Sequence, residues 1–308
     1  MTCYVIAGPT ACGKSDLALK VAKECNGEIV CMDSMQIYRY MDIGTAKPTK
    51  EEQQEIPHHM LDIVEPWESF SVAAYCSMAE ACAAEIIQRG KTPVFVGGTG
   101  FYLRALRHPM AMGGTSVSPE TRALFEREAQ ETDGPQRLHA KLEMVDPVTA
   151  GRLHVNDVRR VIRALEVYAV TGKPFSDQPV LDQVKPRFSY RVISLNRERS
   201  LLYERIEQRV DQMIEMGLIK EVELLLEMGV SPQAQAMQAI GYKEIIPLIQ
   251  KQCSKDEVIA QLKLNTRHYA KRQLTWMRRE EDVLWLNADQ PDAGMKAIQY
   301  LTRKEKEA

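Results

Sequence analysis

The chain has 308 residues, 44% of them hydrophobic, with 40 basic against 42 acidic side chains and a formal net charge of −2. That supports one large domain or two smaller ones, offers no run of eighteen apolar residues for a membrane span, and excludes a uniformly basic surface while leaving room for a local basic stripe. Seven cysteines, an odd number with no C-x-x-C pair, argue against a disulfide framework or a zinc site and for a reducing, cytoplasmic setting.

The first predicted strand, Cys3–Ala7, starts almost at once and leaves no room for a signal peptide. It runs into Gly8-Pro9-Thr10-Ala11-Cys12-Gly13-Lys14-Ser15, which fits G-x-x-x-x-G-K-[ST], and then into a helix over Lys14–Cys25. The two glycines let the loop curl so that backbone N–H groups face one concavity, and the helix N-terminus adds positive potential there. Lys14 can meet terminal phosphates, and the Ser15 hydroxyl is a candidate Mg²⁺ ligand. The chain is therefore expected to bind a di- or triphosphate. Cys12, inside the loop, is read as a small residue that fits.

A second strand, Glu28–Met32, ends at Asp33 on the same side of a parallel sheet as the phosphate loop. Asp33 can hold a metal through water, act as a general base, or cap its own turn with Ser34. The strand Pro93–Val96 ends in Gly97-Gly98-Thr99, without a carboxylate, and Tyr190–Leu195 ends in Asn196. A transfer reaction is therefore expected over phosphoanhydride hydrolysis. Residues Ser34 to Pro48 are too irregular for a helix and too polar for a buried strand. Their aromatics, amides and cations suit a loop that grips a base. His58 and His59 with Asp62 lack a further metal ligand at convincing spacing, and a structural or RNA-facing role is expected of them.

Helices are predicted over Ser71–Arg89 and Phe101–Leu106. From about Met110 the pattern is helical without strands to Thr171, with a loop at Gly113–Pro119. In the helix over 156–169, Asn156 or Asp157 can cap the start. Val158, Val161, Ile162 and Leu165 form its apolar face. Arg159, Arg160 and Arg163 can hold polymer phosphates or pair with Glu166. Further helices follow at 199–216, 218–228, 238–250 and 255–279, with a short strand at Val283–Leu286 and a charged tail, Arg303–Ala308. On the helix over 199–216, Arg209 flanks the apolar stripe and needs an anion, either Glu204, Glu207 or a bound diphosphate. On 266–279, Arg267, Lys271 and Arg278 form one stripe and His268, Arg272 and Arg279 another, with no acid on the helix face to balance them. The fold class expected is α/β: a P-loop NTPase-like parallel sheet flanked by helices, over 1–110 and 189–308, with an all-α insertion domain at 111–188.

In order along the chain, Gly8–Ser15, Asp33–Tyr38, Met41–Pro48, Pro57–Asp62, Val96–Tyr102, Asp157–Val167, Ile240–Glu244 and Ala270–Trp276 resemble the tRNA dimethylallyltransferase family in its bacterial form, almost end to end. Ser15 stands where the family often has Thr, a change that keeps the hydroxyl. The resemblance implies a phosphate loop reused for the diphosphate of dimethylallyl diphosphate, with N6 of adenine 37 in the tRNA anticodon loop as acceptor. It implies Asp33 as general base, and Lys14, Arg209 and Mg²⁺ as stabilisers of the leaving diphosphate. The base would be flipped into a channel. Asp33, Ser34, Met35, Gln36, Thr99, Arg159 to Arg163, and Gln238, Ala239, Ile240, Gly241, Tyr242 and Lys243 match the regions that meet RNA. The insert and the basic helix, with Arg267, Lys271 and Arg272, would hold stem phosphates. A monomer is expected. A small-molecule kinase, a prenyltransferase of free adenine nucleotides and a non-enzymatic RNA-binding switch are the competing readings.

Overall fold

A computed structural model of the chain describes residues 2–109, 118–177 and 185–303. The described residues divide into two compact units, one formed by 1–107 with 186–308 and the other by 108–185. Most of the loop expected at Gly113–Pro119, the change of texture near Met110 and the tail beyond Arg303 lie outside the described residues.

The larger unit is built on six parallel strands, β1 (Thr2–Ala7), β2 (Gly27–Cys31), β3 (His58–His59), β4 (Thr92–Gly97), β5 (Ser189–Asn196) and β6 (Val283–Asn287), in the order β3-β2-β4-β1-β5-β6. Its strands read as near-continuous apolar runs because helices cover both faces. Ile6, Ile29, Val94 and Ile193 pack against one set of helices, and Val5, Val30, Phe95 and Val192 against the other. Helix α1 (Lys14–Glu24) follows β1, α2 (Lys50–Glu55) precedes β3, and α3 (Val72–Gln88) and α4 (Gly100–Arg107) flank β4. The first helix opens at Gly13 with φ 93°, a left-handed conformation that glycine adopts without strain.

The smaller unit contains α5 (Pro119–Ala129), α6 (Gly134–Val145), α7 (Pro147–Ala150) and α8 (Val158–Thr171). They close over Leu138, Leu142, Ala150, Val161, Ile162 and Leu165. Helix α8 starts at Asp157, but that carboxylate makes no cap bond; it pairs with Arg160 instead, at 3.0 Å.

The chain returns through β5 to α9 (Arg199–Met216), α10 (Leu218–Glu227), α11 (Ile246–Ile249), α12 (Lys255–Met277) and α13 (Ala293–Thr302). A single helix over 238–250 is not what forms. A short turn at Ala236–Gln238 is followed by Gly241 at φ 102° and only then by α11. The Glu244 carboxylate accepts from Gly241 N at 2.8 Å, and the Tyr242 hydroxyl donates to Glu221 at 2.6 Å, so side chains replace the helical ladder. The expectations also lacked α2, β3 and α13.

Candidate active site

The carboxyl ends of β1, β2 and β4 lie side by side, because β4 sits between β2 and β1. Each strand delivers one part of the site there: the phosphate loop after β1, Asp33 after β2, and Gly97–Gly100 after β4. Gly97 is required by close approach, since a Cβ on it would lie 1.9 Å from the Met32 carbonyl oxygen.

The phosphate loop is braced from outside. Lys14 Nζ donates to the Pro9 carbonyl at 2.6 Å, and Pro9, which has no N–H, contributes by holding that ammonium. Arg205 donates to the Ala11 carbonyl at 3.0 Å and Arg197 to the Cys12 carbonyl at 3.2 Å. The Thr10 N–H is taken by Gln273 Oε1 at 2.8 Å, and Gln273 Nε2 donates to the Gly98 carbonyl at 3.1 Å. Thr10 therefore offers its hydroxyl rather than its N–H, and Gln273 on α12 joins the loops after β1 and β4. Neither Gln273 nor Arg197 follows from the loop motif. The available signal for Gln273 was its place within the Ala270–Trp276 stretch, an uncharged amide among basic neighbours.

A cavity of about 340 Å³ opens beside this loop. Among its described lining residues Asp33 is the single carboxylate, facing Lys14, Arg209, Arg272 and Lys243 in the same space. Asp33 Oδ1 accepts from Met35 N at 2.9 Å, which fixes its orientation. Ile206, Val210, Met213 and Leu262 give the cavity an apolar side. A second opening, about 380 Å³, shares Lys14, Ser15, Ala46 and Arg209 with the first. Arg209 Nη1 donates to Thr10 Oγ1 at 3.3 Å. Burial lowers its pKa, and the charge of Asp33 works against that shift. Glu204 and Glu207 are not its partners: Glu204 accepts from Gln208, and Glu207 binds Arg267 at 2.9 Å. The guanidinium is thus held in a desolvated place with its charge available to an anion in the cavity.

The loop after Asp33 is anchored rather than free. Ile37, Tyr38 and Met41 are fully buried, so Tyr38 is a core residue and not a base-gripping aromatic. Gln36 Nε2 donates to the carbonyls of Thr45 and Ala46, both at 3.0 Å. Glu221 accepts from three successive amides, Asp42, Ile43 and Gly44, at 2.9, 2.8 and 3.0 Å. Ser34, Met35, Gln36, Gln238, Ile240, Gly241 and Lys243 all line the cavity, and Thr99 Oγ1 accepts from Ser34 N at 3.1 Å.

Several expected RNA contacts do not hold for the side chains concerned. Val161 and Ile162 are core residues of the smaller unit, and Tyr242 is fully buried; Ala239, also almost buried, reaches only the cavity wall. Arg163 pairs with the buried Glu166 at 3.0 Å, as does Arg122 at 3.1 Å. Arg159 is exposed. On α12, Arg267 is balanced by Glu207, so that face is not free of acids, whereas Lys271 and Arg272, and Arg278 and Arg279 just past the helix end, are exposed with no acidic partner among the described residues. His59 binds Glu28, His58 Nδ1 donates to the Ile56 carbonyl, and Asp62 binds Lys47. No group of three or more His, Cys, Asp or Glu among the described residues is placed to hold a metal. An ion held by the Ser15 hydroxyl together with oxygens of a bound diphosphate fits this donor set.

Comparison with known proteins points to one family. Residues 36–280 match the family described as IPP transferase, and residues 1–63 match isopentenyl transferase. The chain is 48% identical over 301 residues to a tRNA dimethylallyltransferase of Carboxydothermus hydrogenoformans, covering 97% of this chain and 94% of that one. With its counterpart in Acetivibrio thermocellus the identity is 47% over 298 residues, 96% of this chain and 95% of the other. Among solved structures, the full-length tRNA isopentenylpyrophosphate transferase of Bacillus halodurans aligns with a TM-score of 0.72 at 41% identity, over 97% of this chain and 95% of its own. A eukaryotic dimethylallyltransferase acting on tRNA aligns with a TM-score of 0.80 at 31% identity, over 96% of this chain and 77% of its own.

Proposed function

The chain belongs to the tRNA dimethylallyltransferase family, and on that footing we propose that it moves the dimethylallyl group of dimethylallyl diphosphate to N6 of adenine 37 in tRNA and releases diphosphate. The observation that carries this reading is the cavity in which Asp33, the single carboxylate among the described lining residues, stands with the phosphate loop, Arg209 and an apolar wall.

The chemistry follows from those groups. N6 shares its lone pair with the purine ring and is a poor nucleophile. As the N6–C1 bond forms, Asp33 takes the N6 proton, leaving a neutral secondary amine. As the C1–O bond breaks, its electron pair stays with the diphosphate. Lys14, the loop amides and Arg209 stabilise that charge, more strongly for being partly shielded from water. When bound at Ser15, Mg²⁺ supplies further positive charge to the same oxygens. Ile206, Val210, Met213 and Leu262 provide an apolar wall for the isoprenoid chain and keep water from the allylic carbon.

An adenine stacked in the anticodon loop cannot reach Asp33, so the base enters flipped. Ser34, Gln36, Thr99 and the segment 238–243 surround it. Lys271, Arg272, Arg278 and Arg279, with Arg159 in the smaller unit, supply the phosphate contacts, which weaken with salt. The protein is read as a cytoplasmic monomer.

The test is transfer of label from dimethylallyl diphosphate with Mg²⁺ to unmodified tRNA carrying A36-A37-A38, with AMP plus donor and ATP plus tRNA in parallel. The reading expects label at A37. Label in AMP alone, or ATP consumption without prenyl transfer, would overturn it.

A further inference from the structure

One line of side chains on α12 leads out of the cavity. Tyr269, Arg272 and Trp276 are spaced i, i+3, i+7, within roughly 60° of one another around the helix, and Arg279 lies just past its end. Tyr269 and Arg272 line the cavity, and the Arg272 guanidinium sits 5.7 Å from the centre of the Tyr269 ring. Trp276 packs over Gly100, whose added Cβ would lie 2.9 Å from the Trp276 Cβ. Its ring meets that of Phe101, 6.1 Å between centroids at a 55° tilt. Phe101 is 42% exposed although it follows the turn that starts at Gly97, which lines the cavity.

Phe101 is exposed and Trp276 half-buried, and neither belongs to a hydrophobic core cluster. Set between two cations that lack acidic partners among the described residues, the pair has the makings of a single-strand nucleic-acid track: π-faces for bases, guanidinium groups for phosphates. We propose that Phe101 and Trp276 form a stacking platform for an unstacked RNA base next to the one delivered to Asp33, with Arg272 and Arg279 on the phosphates that flank it. The proposal rests on the reading of the substrate as RNA and adds the place of the neighbouring nucleotide. Charge favours RNA over an apolar peptide as the occupant, because the platform is bordered by cations.

The test uses the full chain and an anticodon stem-loop with 2-aminopurine at the nucleotide on one or the other side of the reacting adenine. One of the two probes should be quenched on binding, and Phe101→Leu should remove that quenching. Phe101→Leu and Trp276→Leu should each weaken RNA binding about tenfold without changing the slope of log affinity against log salt. Phe101→Tyr should restore binding. Arg272→Gln and Arg279→Gln should instead lower that slope by about one each. Unchanged affinity and quenching in Phe101→Leu would overturn the platform, and because that ring is exposed, the variant decides the matter even if Trp276→Leu fails to fold. If wild-type chain still prenylates RNA in that case, the platform alone has failed. If it prenylates only AMP, the reading of the substrate has failed.

Discussion

The phosphate loop and helix α8 present similar promises in sequence, a cluster of features suited to anions, and the structure treats them oppositely. Around the loop, Lys14 and Arg209 line a cavity, and Glu204 and Glu207, the acids expected beside Arg209, are paired elsewhere. On α8, Arg160 and Arg163 are taken by Asp157 and Glu166. A loop shape coded in the backbone survives folding, whereas the pairing of a run of cations depends on which acids the fold brings alongside. Gly8 and Gly13 shape a nest whatever packs outside it. The partners of Arg163 include a glutamate buried beneath it and shared with Arg122 from another helix, and no spacing rule marks that arrangement.

The sharpest way to break the contrast is at Asp33. Asp33→Asn keeps the shape of the cavity and its bond to Met35 but removes the proton acceptor. Single-turnover transfer should fall by roughly 10²–10⁴ while stem-loop affinity stays near wild type. Equal losses in both would make Asp33 a binding residue. Next, matched arginines can be compared. Arg209→Gln should slow transfer about 10²–10³-fold. Arg163→Gln should leave transfer within about threefold and lower stability by about 1 kcal/mol, since that pair is partly exposed, as read by thermal melting. Similar kinetics in the two variants would erase the distinction.

A smaller effect belongs to Gln273→Leu, which strips partners from the Thr10 N–H and the Gly98 carbonyl. A cost of about 1–3 kcal/mol is expected, together with a raised KM for the prenyl donor; a change in stability alone would make Gln273 purely structural. The smallest effect at neutral pH lies at the other end of β2. Glu28 is buried, which pushes its carboxyl up, but bonds from Lys91, His59 and Arg89 outweigh this and bring its pKa to about 2. Because the folded value lies below the ordinary 4.5, the network stabilises the protein above that pH. Its contribution fades as pH falls from there towards about 2. Glu28→Gln should flatten acid denaturation in that window and leave transfer at neutral pH unaltered.

Much of the larger unit was legible in sequence because parallel strands are short apolar runs and the loop motif has a fixed spacing. Strand β1 and helix α9 fall where periodicity puts them. The failures share one cause, tertiary partners replacing local rules. Residues 238–250 have helical periodicity, yet Glu244 and Glu221 capture Gly241 and Tyr242 and leave only Ile246–Ile249 helical. Tyr38 looked like a loop aromatic and is core. Helix α13 did carry a signal, Ala293, Ala297 and Leu301 at four-residue spacing. Asp33 was legible as a candidate; its isolation among cations was not, since that required knowing that Glu204 and Glu207 turn away.

On the proposed mechanism the phosphate loop holds a leaving group and transfers no phosphate. A single turnover with dimethylallyl diphosphate labelled at C1 and at the β-phosphorus tests it most directly. One equivalent of intact diphosphate should be released for each prenyl group fixed in RNA. Orthophosphate release, or phosphorus label in the RNA, would contradict it.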